Sequence, residues 1–179
     1  MKIEMQQLNA NKYKMAVEDM DESPEEEAME TPAEEMSEFE ETIKAAFATT
    51  FSFYLKAHNF HWNVEDKDFF EYHNLFGSIY EEVYDSVDDF AEKIRACQIK
   101  VPASLSSFNL LSVVADENSF PSKDVMVNTL LNDNETVLKI LALAYDEAEE
   151  LGYHGFSNFL AERLDAHKKH SWMLRSSKG

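Results

Sequence analysis

Four side chains that can bind a metal ion recur at helical spacing in the first half of the chain. His61 and His73 each lie on an apolar stripe, while Asp88 and Glu92 are four residues apart and therefore stack on one helix face. Burying such an acidic pair is costly, because like charges repel in a low dielectric and each carboxylate loses its hydration. A bound cation would offset that cost, and imidazole nitrogen together with carboxylate oxygen suits divalent iron, manganese or zinc.

The same residues also have a purely structural interpretation. A histidine on an apolar helix face is more often a hydrogen-bonded core residue than a ligand. An acidic pair at helical spacing is more often the solvent-exposed edge of a helix. Residue type and spacing alone therefore leave open whether these side chains form a metal site.

Long helices must position these residues. Apolar side chains recur three and four residues apart over most of the chain, and no strand-like alternation competes over a comparable length. Start and stop signals divide this pattern into four helices. The signals are a Thr31-Pro32 start, a polar turn after Asn63-Val64, a stop before Pro102, a capping Ser122, and Gly152 and Gly155 around the last turn.

The connection between the second and third predicted helices is long for a bundle. It runs from Lys100 to Pro121, and its Leu105, Phe108 and Leu111 predict a short extra helix packed on the bundle. The predicted fold class is therefore all-α: a four-helix bundle with a short extra helix in the connection between helices 2 and 3.

The N-terminal segment differs in composition from the rest of the chain. Residues 18–35 are crowded with acidic side chains and hold almost no aromatic or β-branched residue. Such a segment buries too little apolar surface to offset the entropy lost on ordering. We therefore expect an acidic, disordered tail over residues 1–35 and a bundle domain over residues 36–179.

Charge and composition limit the partners and the location. The formal net charge of −19 repels nucleic acid and anionic membrane surfaces, so cations are the natural small partners. The single cysteine, Cys97, excludes an intrachain disulfide and fits a reducing compartment. No apolar run is long enough for a signal sequence or a membrane span. We expect a soluble, cytoplasmic protein.

Sequence motifs around the four residues resemble the signature of the Dps family, the mini-ferritins of the ferritin-like superfamily. The family pattern is a His-Trp-Asn-Val segment, a second histidine in the next helix, and then Asp and Glu further along that helix. The resemblance covers roughly residues 37 to 176. The matching runs are His58–Val64, Phe69–His73, Asp88–Ile94 and Glu162–Arg175.

The resemblance implies a site shared between two subunits. His61 and His73 of one chain, with Asp88 and Glu92 of its partner, would bind non-haem iron. The implied activity is that of a ferroxidase, which oxidises Fe²⁺ to Fe³⁺ with hydrogen peroxide or dioxygen. The implied assembly is a homo-oligomer, a dodecameric hollow shell that stores ferric mineral and limits oxidative damage. Trp62 would lie beside the site, mainly as a packing residue and also as an acceptor of an oxidising equivalent.

One expected ligand is missing. The family places an aspartate four residues after the second histidine, where this chain has Gly77. Glycine coordinates nothing and weakens a helix by up to ~1 kcal/mol relative to alanine. We hypothesise that Glu81, one turn further along the same face, compensates in part. The alternative is a weaker site, or one that prefers another metal.

Two further departures concern iron entry and DNA. Asn158 stands where the family has an acidic residue at its three-fold pores, with Glu147, Glu149 and Glu150 nearby. The tail is acidic where many family members carry a lysine-rich arm, so direct DNA binding is disfavoured unless divalent ions bridge the charges. Two alternatives therefore stay open: a structural shell with a weakened metal site, and a DNA-protecting protein that acts without a basic tail.

Overall fold

The computed structural model describes residues 32–178, with side chains from residue 35 onward. Helix α1 begins at Pro32, as the Thr31-Pro32 signal predicts, so it takes in residues 32–35 at the end of the expected tail. The rest of the expected tail, residues 1–31, lies outside the described residues, and its disorder stays a prediction.

The described chain is helical throughout, with no strand between residues 32 and 178. This confirms the predicted all-α fold, including the short helix in the long connection. None of these helices is both long and apolar enough to cross a membrane. The helices are α1 (Pro32–Asn63), α2 (Phe69–Asp85), α3 (Val87–Ala96), α4 (Leu105–Leu111), α5 (Lys123–Glu150) and α6 (His154–Ser176).

The predicted second helix is interrupted at Ser86, which separates α2 from α3. The Ser86 hydroxyl donates to the carbonyl oxygen of Val83 at 2.7 Å, and the Ser86 backbone N–H donates to the same oxygen at 3.2 Å. A side-chain hydrogen bond to the preceding turn competes with the regular ladder and bends a helix. The ladder resumes when the Phe90 N–H donates to the Ser86 carbonyl at 3.0 Å.

A single apolar core lies between the long helices. Helix α1 packs against α2 and α5, and α5 packs against α6. Helix α4 closes over α1, where Phe108 stacks on Phe51 with ring centroids 4.3 Å apart. The largest fully buried side chains come from α1, α2, α3 and α5: Phe39, Ile43, Phe53, Phe60, Phe76, Ile79, Phe90, Ile94, Met126, Leu130, Ile140 and Leu141.

Buried polar contacts fix how α6 lies against its neighbours. Arg163 donates through both terminal nitrogens to the carboxylate of Glu82, at 2.7 and 2.8 Å, and His170 lies 3.2 Å from the same carboxylate. Burial raises the pKa of Glu82, but the hydrogen bonds from His170 and Arg163 outweigh it and hold that pKa well below its ordinary value. Glu82 therefore stays ionised and ties α2 to α6.

Candidate metal centre

The hairpin formed by α1 and α2 brings His61 and His73 together. His61 lies in the last turn of α1 and His73 in the second turn of α2, on either side of a short connection. Their rings stack with centroids 3.7 Å apart and an interplanar angle of 25°. Two of the four predicted ligands are therefore neighbours in the folded chain, and both are partly buried.

Backbone carbonyls orient both imidazoles in the same way. The Nδ1 atom of His61 lies 2.7 Å from the carbonyl oxygen of His73, and the Nδ1 atom of His73 lies 2.8 Å from the carbonyl oxygen of His61. A carbonyl only accepts, so each Nδ1 carries the proton and donates. In the neutral imidazole the lone pair is then on Nε2, and a metal-binding histidine is commonly held in this way. Each ring is therefore prepared to bind a cation through Nε2.

Gly77 packs directly beneath the first of these rings. A Cβ atom at this position would lie 3.2 Å from Nδ1 and 3.3 Å from Cε1 of His61, which is tighter than ordinary van der Waals contact. The missing side chain therefore lets α2 approach the imidazole closely. It also means that this position adds no metal ligand to the two histidines.

The predicted acidic pair lies elsewhere in the chain. Asp88 and Glu92 are on α3 and both are exposed in the single chain, so their role in binding a cation stays a prediction. Asp88 is fifteen residues beyond His73 along α2 and α3, a distance of about 22 Å at the helical rise. Within residues 32–178 of one chain, no three histidine, cysteine or carboxylate side chains are placed to hold a metal. The described part of a single chain thus brings two imidazoles together without a carboxylate ligand beside them.

The side chain of Glu81 is engaged beside the histidines rather than with them. Its carboxylate accepts a hydrogen bond from the Tyr80 hydroxyl at 3.2 Å. The Tyr80 ring in turn stacks on His58, with centroids 3.9 Å apart and an interplanar angle of 11°. The proposed role of Glu81 as a compensating ligand stays a prediction.

His58 lies between two aromatic rings next to the histidine pair. It contacts Trp62, whose ring centroid is 3.9 Å away and whose side chain is 61% exposed. Burial and the neighbouring His61 lower the pKa of His58, while Glu81 opposes that shift. A neutral His58 fits a packing role.

A tyrosine beside the histidine pair is the feature that sequence reasoning missed. The sequence pattern assigns Tyr80 to general core packing, together with the other aromatic residues. In the structure its ring meets the edge of the His61 ring, with centroids 5.0 Å apart and an interplanar angle of 67°. The seven-residue spacing between His73 and Tyr80 was the available signal, because it places both on one face of α2.

The stretch expected near a pore is held by local contacts. Asn158 is exposed in the second turn of α6. Glu149 accepts from the hydroxyl of Ser157 and lies 3.5 Å from Nδ1 of His154. The hydrogen bond from Ser157 lowers the pKa of Glu149. An ionised carboxylate, that of Glu149, therefore lies near Asn158, where the family pattern has an acidic residue.

Comparison with known proteins agrees with this architecture. A family model described as a ferritin-like domain matches residues 40–177. The DNA protection during starvation protein of Helicobacter pylori (strain J99) is 33% identical over 138 residues, which are 76% of this chain and 95% of that protein. General stress protein 20U of Bacillus subtilis is 30% identical over 126 residues, which are 70% of this chain and 87% of that protein.

Solved structures have the same fold. The crystal structure of Dps from Staphylococcus aureus matches with a TM-score of 0.75 and 27% identity, covering 80% of this chain and 96% of that one. Dps from Thermosynechococcus elongatus matches with a TM-score of 0.77 and 21% identity, covering 81% and 94%. The resemblance seen in the sequence motifs is confirmed, and the chain belongs to the Dps family of ferritin-like proteins.

Proposed function

We propose that this protein is a mini-ferritin that oxidises ferrous iron at a site shared between two subunits. It uses hydrogen peroxide or dioxygen and stores the ferric product as mineral in a hollow shell. Membership of the Dps family supports iron storage and protection as the general role. The finer proposal concerns the reaction, the oxidant and the residues that carry it.

One observation carries the proposal: the reciprocal hydrogen bonds of the histidine pair. Each Nδ1 donates to the other residue's carbonyl, at 2.7 and 2.8 Å, so that both Nε2 atoms keep their lone pairs. Two histidines that serve only as core residues have no reason to use the same ring nitrogen for their hydrogen bonds. A matched arrangement that frees the same atom on two stacked rings supports a shared cation.

The distance along α2 and α3 supports a site between chains. Asp88 lies about 22 Å from His73 along the helical path and is too far to meet it in one chain. In a two-fold dimer with α2 and α3 antiparallel to their copies, the acidic pair of one chain lies opposite the histidines of the other. Two exposed aromatic side chains beside the histidine pair, Trp62 and Phe69, would be covered by this contact.

Each proposed ligand has a distinct role. The imidazoles of His61 and His73 hold ferrous iron through Nε2. The partner subunit's Asp88 and Glu92 supply carboxylate oxygens, which bind the harder ferric product more strongly and so favour oxidation. Glu81 approaches the iron through a water, and Trp62 covers the site by packing on its neighbours.

We propose that the protein acts in the cytoplasm as a dodecamer, and that its partners are iron and the oxidant. The negative charge of every chain attracts cations toward the shell. It also opposes direct binding to DNA, because the phosphates carry the same sign. A gel-shift assay with and without magnesium tests this, and retardation of DNA without magnesium contradicts it.

Stopped-flow absorbance of ferric iron tests the oxidation. Ferrous iron and then peroxide are added to purified protein, and we expect ferric absorbance to rise faster than in protein-free buffer. The His61→Ala/His73→Ala variant should lose the acceleration, whereas the exposed, distant His154→Ala variant should keep it. Equal rates for wild-type protein and buffer contradict the proposed function.

A second candidate function has one specific observation in its favour. The family carries an aspartate ligand at the position of Gly77, and the glycine supplies no ligand in its place. The protein would then be a shell whose metal site is too weak for turnover. Equilibrium dialysis distinguishes the two, because this alternative predicts no iron bound at the two-fold interface under saturating ferrous ion.

A further inference from the structure

Three tyrosines form a continuous aromatic path that starts at the histidine pair. The Tyr80 ring lies 5.0 Å from the His61 ring, the Tyr54 ring lies 6.3 Å from that of Tyr80, and the Tyr84 ring lies 5.1 Å from that of Tyr54. Tyr80 and Tyr54 are partly buried, and Tyr84 is 56% exposed. We call these three residues the tyrosine cluster.

The proposed reaction with peroxide needs one more electron than a single ferrous ion supplies. Hydrogen peroxide takes up two electrons on its way to two waters, and one ferrous ion gives only one. Because Gly77 supplies no ligand, the proposed site has one carboxylate fewer than the family pattern, and we take it to bind a single iron. Peroxide that receives one electron releases a hydroxyl radical unless another group nearby is oxidised.

We propose that Tyr80 supplies this second electron, an inference that rests on the proposed function. One ferrous ion, one tyrosine, one peroxide and one proton then give one ferric ion, one tyrosyl radical and two waters. The O–O bond breaks, and iron and Tyr80 are each oxidised by one electron. The phenolic proton leaves through Glu81, which already accepts the hydrogen bond from the Tyr80 hydroxyl at 3.2 Å, and Glu81 passes it on to a peroxide oxygen. The other proton comes from solvent.

The contacts favour Tyr80 over the nearby tryptophan. Tyr80 touches the ring of a proposed iron ligand, His61, and its hydroxyl has a carboxylate acceptor for the proton. Trp62 contacts His58 rather than the ligand ring and is mostly exposed. The radical on Tyr80 can then be shared with Tyr54 and Tyr84.

Freeze-quench electron paramagnetic resonance tests this role in the assembled protein. Protein loaded with ferrous iron is mixed with hydrogen peroxide, and a tyrosyl radical signal is expected within the ferric burst. Tyr80→Phe keeps the ring contacts and removes only the oxidisable hydroxyl, so its signal should be lost and spin-trapped hydroxyl radical should rise. Tyr145→Phe on α5 is the matched control and should retain the wild-type signal.

The outcomes separate this inference from the function on which it rests. If wild-type protein forms ferric iron no faster than buffer, the proposed function itself has failed. If ferric iron forms but Tyr80→Phe and Tyr145→Phe give equal radical signals, the role of Tyr80 is overturned. A radical with the spectrum of tryptophan in the wild-type protein overturns it as well.

Discussion

At the scale of single residues, the position of the His61 ring depends on its close contact with Gly77. Helix α2 approaches the His61 ring at Gly77, where even a Cβ atom would lie 3.2 Å from Nδ1. The ring has little freedom to yield, because its Nδ1 donates to the carbonyl oxygen of His73 and its face stacks on the His73 ring. The absence of a side chain is therefore part of the geometry that holds the imidazole.

Gly77→Ala should slow iron oxidation more than it changes stability. The added methyl displaces the His61 ring by a few tenths of an ångström, while the better helix propensity of alanine offsets up to ~1 kcal/mol of the strain. Gly155→Ala on α6 is the control, since its Cβ would meet nothing within 4 Å. Ferric absorbance and thermal unfolding measure the two effects. An oxidation rate in Gly77→Ala equal to that of the control contradicts the argument.

The ligand candidates were predictable from the sequence because their spacing and neighbours are local. His61 and His73 stand in short motifs, and Asp88 and Glu92 are one helical turn apart. The spacing from His73 places Tyr80 on the same face of α2, but its contact with His61 was not predictable, because it depends on how closely α1 and α2 pack. That separation is set by Gly77, whose effect is seen only in the folded chain.

At the scale of helices, buried polar contacts give α5 and α6 a dependence on pH. His167 on α6 is fully buried, and Asn134 on α5 accepts from its Nδ1 at 2.6 Å. Burial lowers the pKa of His167 well below its ordinary value of 6.5, with smaller contributions from His170 and Arg163 that Glu82 partly opposes. His167 is therefore neutral in the folded protein.

We expect acid to destabilise the protein through His167. Below pH 6.5 the unfolded chain binds a proton at this residue that the folded chain does not, so stability is complete above pH 6.5 and falls as the pH drops below it. The slope reaches about 1.4 kcal/mol per pH unit for one proton. Urea unfolding between pH 7 and 5 measures it, and His167→Gln should flatten the slope by that amount. An unchanged slope in His167→Gln contradicts this assignment.

A second buried contact ties α1 to α5. The amino group of Lys56 pairs with the carboxylate of Asp133 and donates to the carbonyl oxygen of Ala115 at 2.6 Å. Burial raises the pKa of Asp133, and its partner Lys56 offsets this only in part. The carboxylate therefore relies on the lysine for its charge.

Lys56→Met should destabilise the protein by about 3 kcal/mol, because it leaves Asp133 and the Ala115 carbonyl without their donor. Lys44→Met is the matched control, since Lys44 pairs with Glu40 across one turn of the same helix at a more exposed position. Its cost should be about 0.5 kcal/mol. Urea midpoints measure both, and equal losses in the two variants argue against a special role for the buried pair.

The sequence predicted these helices well and their interruption poorly. The apolar stripe runs through Val83 and Val87 at an unbroken spacing, so the pattern predicts one continuous helix. The break comes from the hydroxyl of Ser86, which bonds to the carbonyl of Val83. The partners that hold α6, such as Glu82 with Arg163, are equally hidden because they are far apart along the chain.

At the scale of the whole molecule, the proposed ligands fall into two groups that lie far apart in one chain. The histidines lie near the hairpin end of α2, and the acidic pair lies on α3, about 22 Å further along. In the proposed isologous dimer both sites would form at once, because each chain would give the histidines of one site and the carboxylates of the other. The family resemblance implied such sharing, and the length of this helical path gives a physical reason for it.

Co-expressed variants should therefore complement each other. One variant, His61→Ala/His73→Ala, keeps its acidic pair; the other, Asp88→Ala/Glu92→Ala, keeps its histidines, and each alone should be inactive. In a mixed dimer one interface combines the two intact halves, while the other interface combines the two damaged ones. Random pairing of equal amounts makes half of the dimers mixed, so about a quarter of the wild-type oxidation rate should return.

Stopped-flow ferric absorbance of the mixed shells measures this return, with the two variants mixed only after purification as the control. A site contained within one chain cannot be rebuilt in this way, so mixed shells as inactive as their parents would show that the histidines and the acidic pair do not meet across the interface.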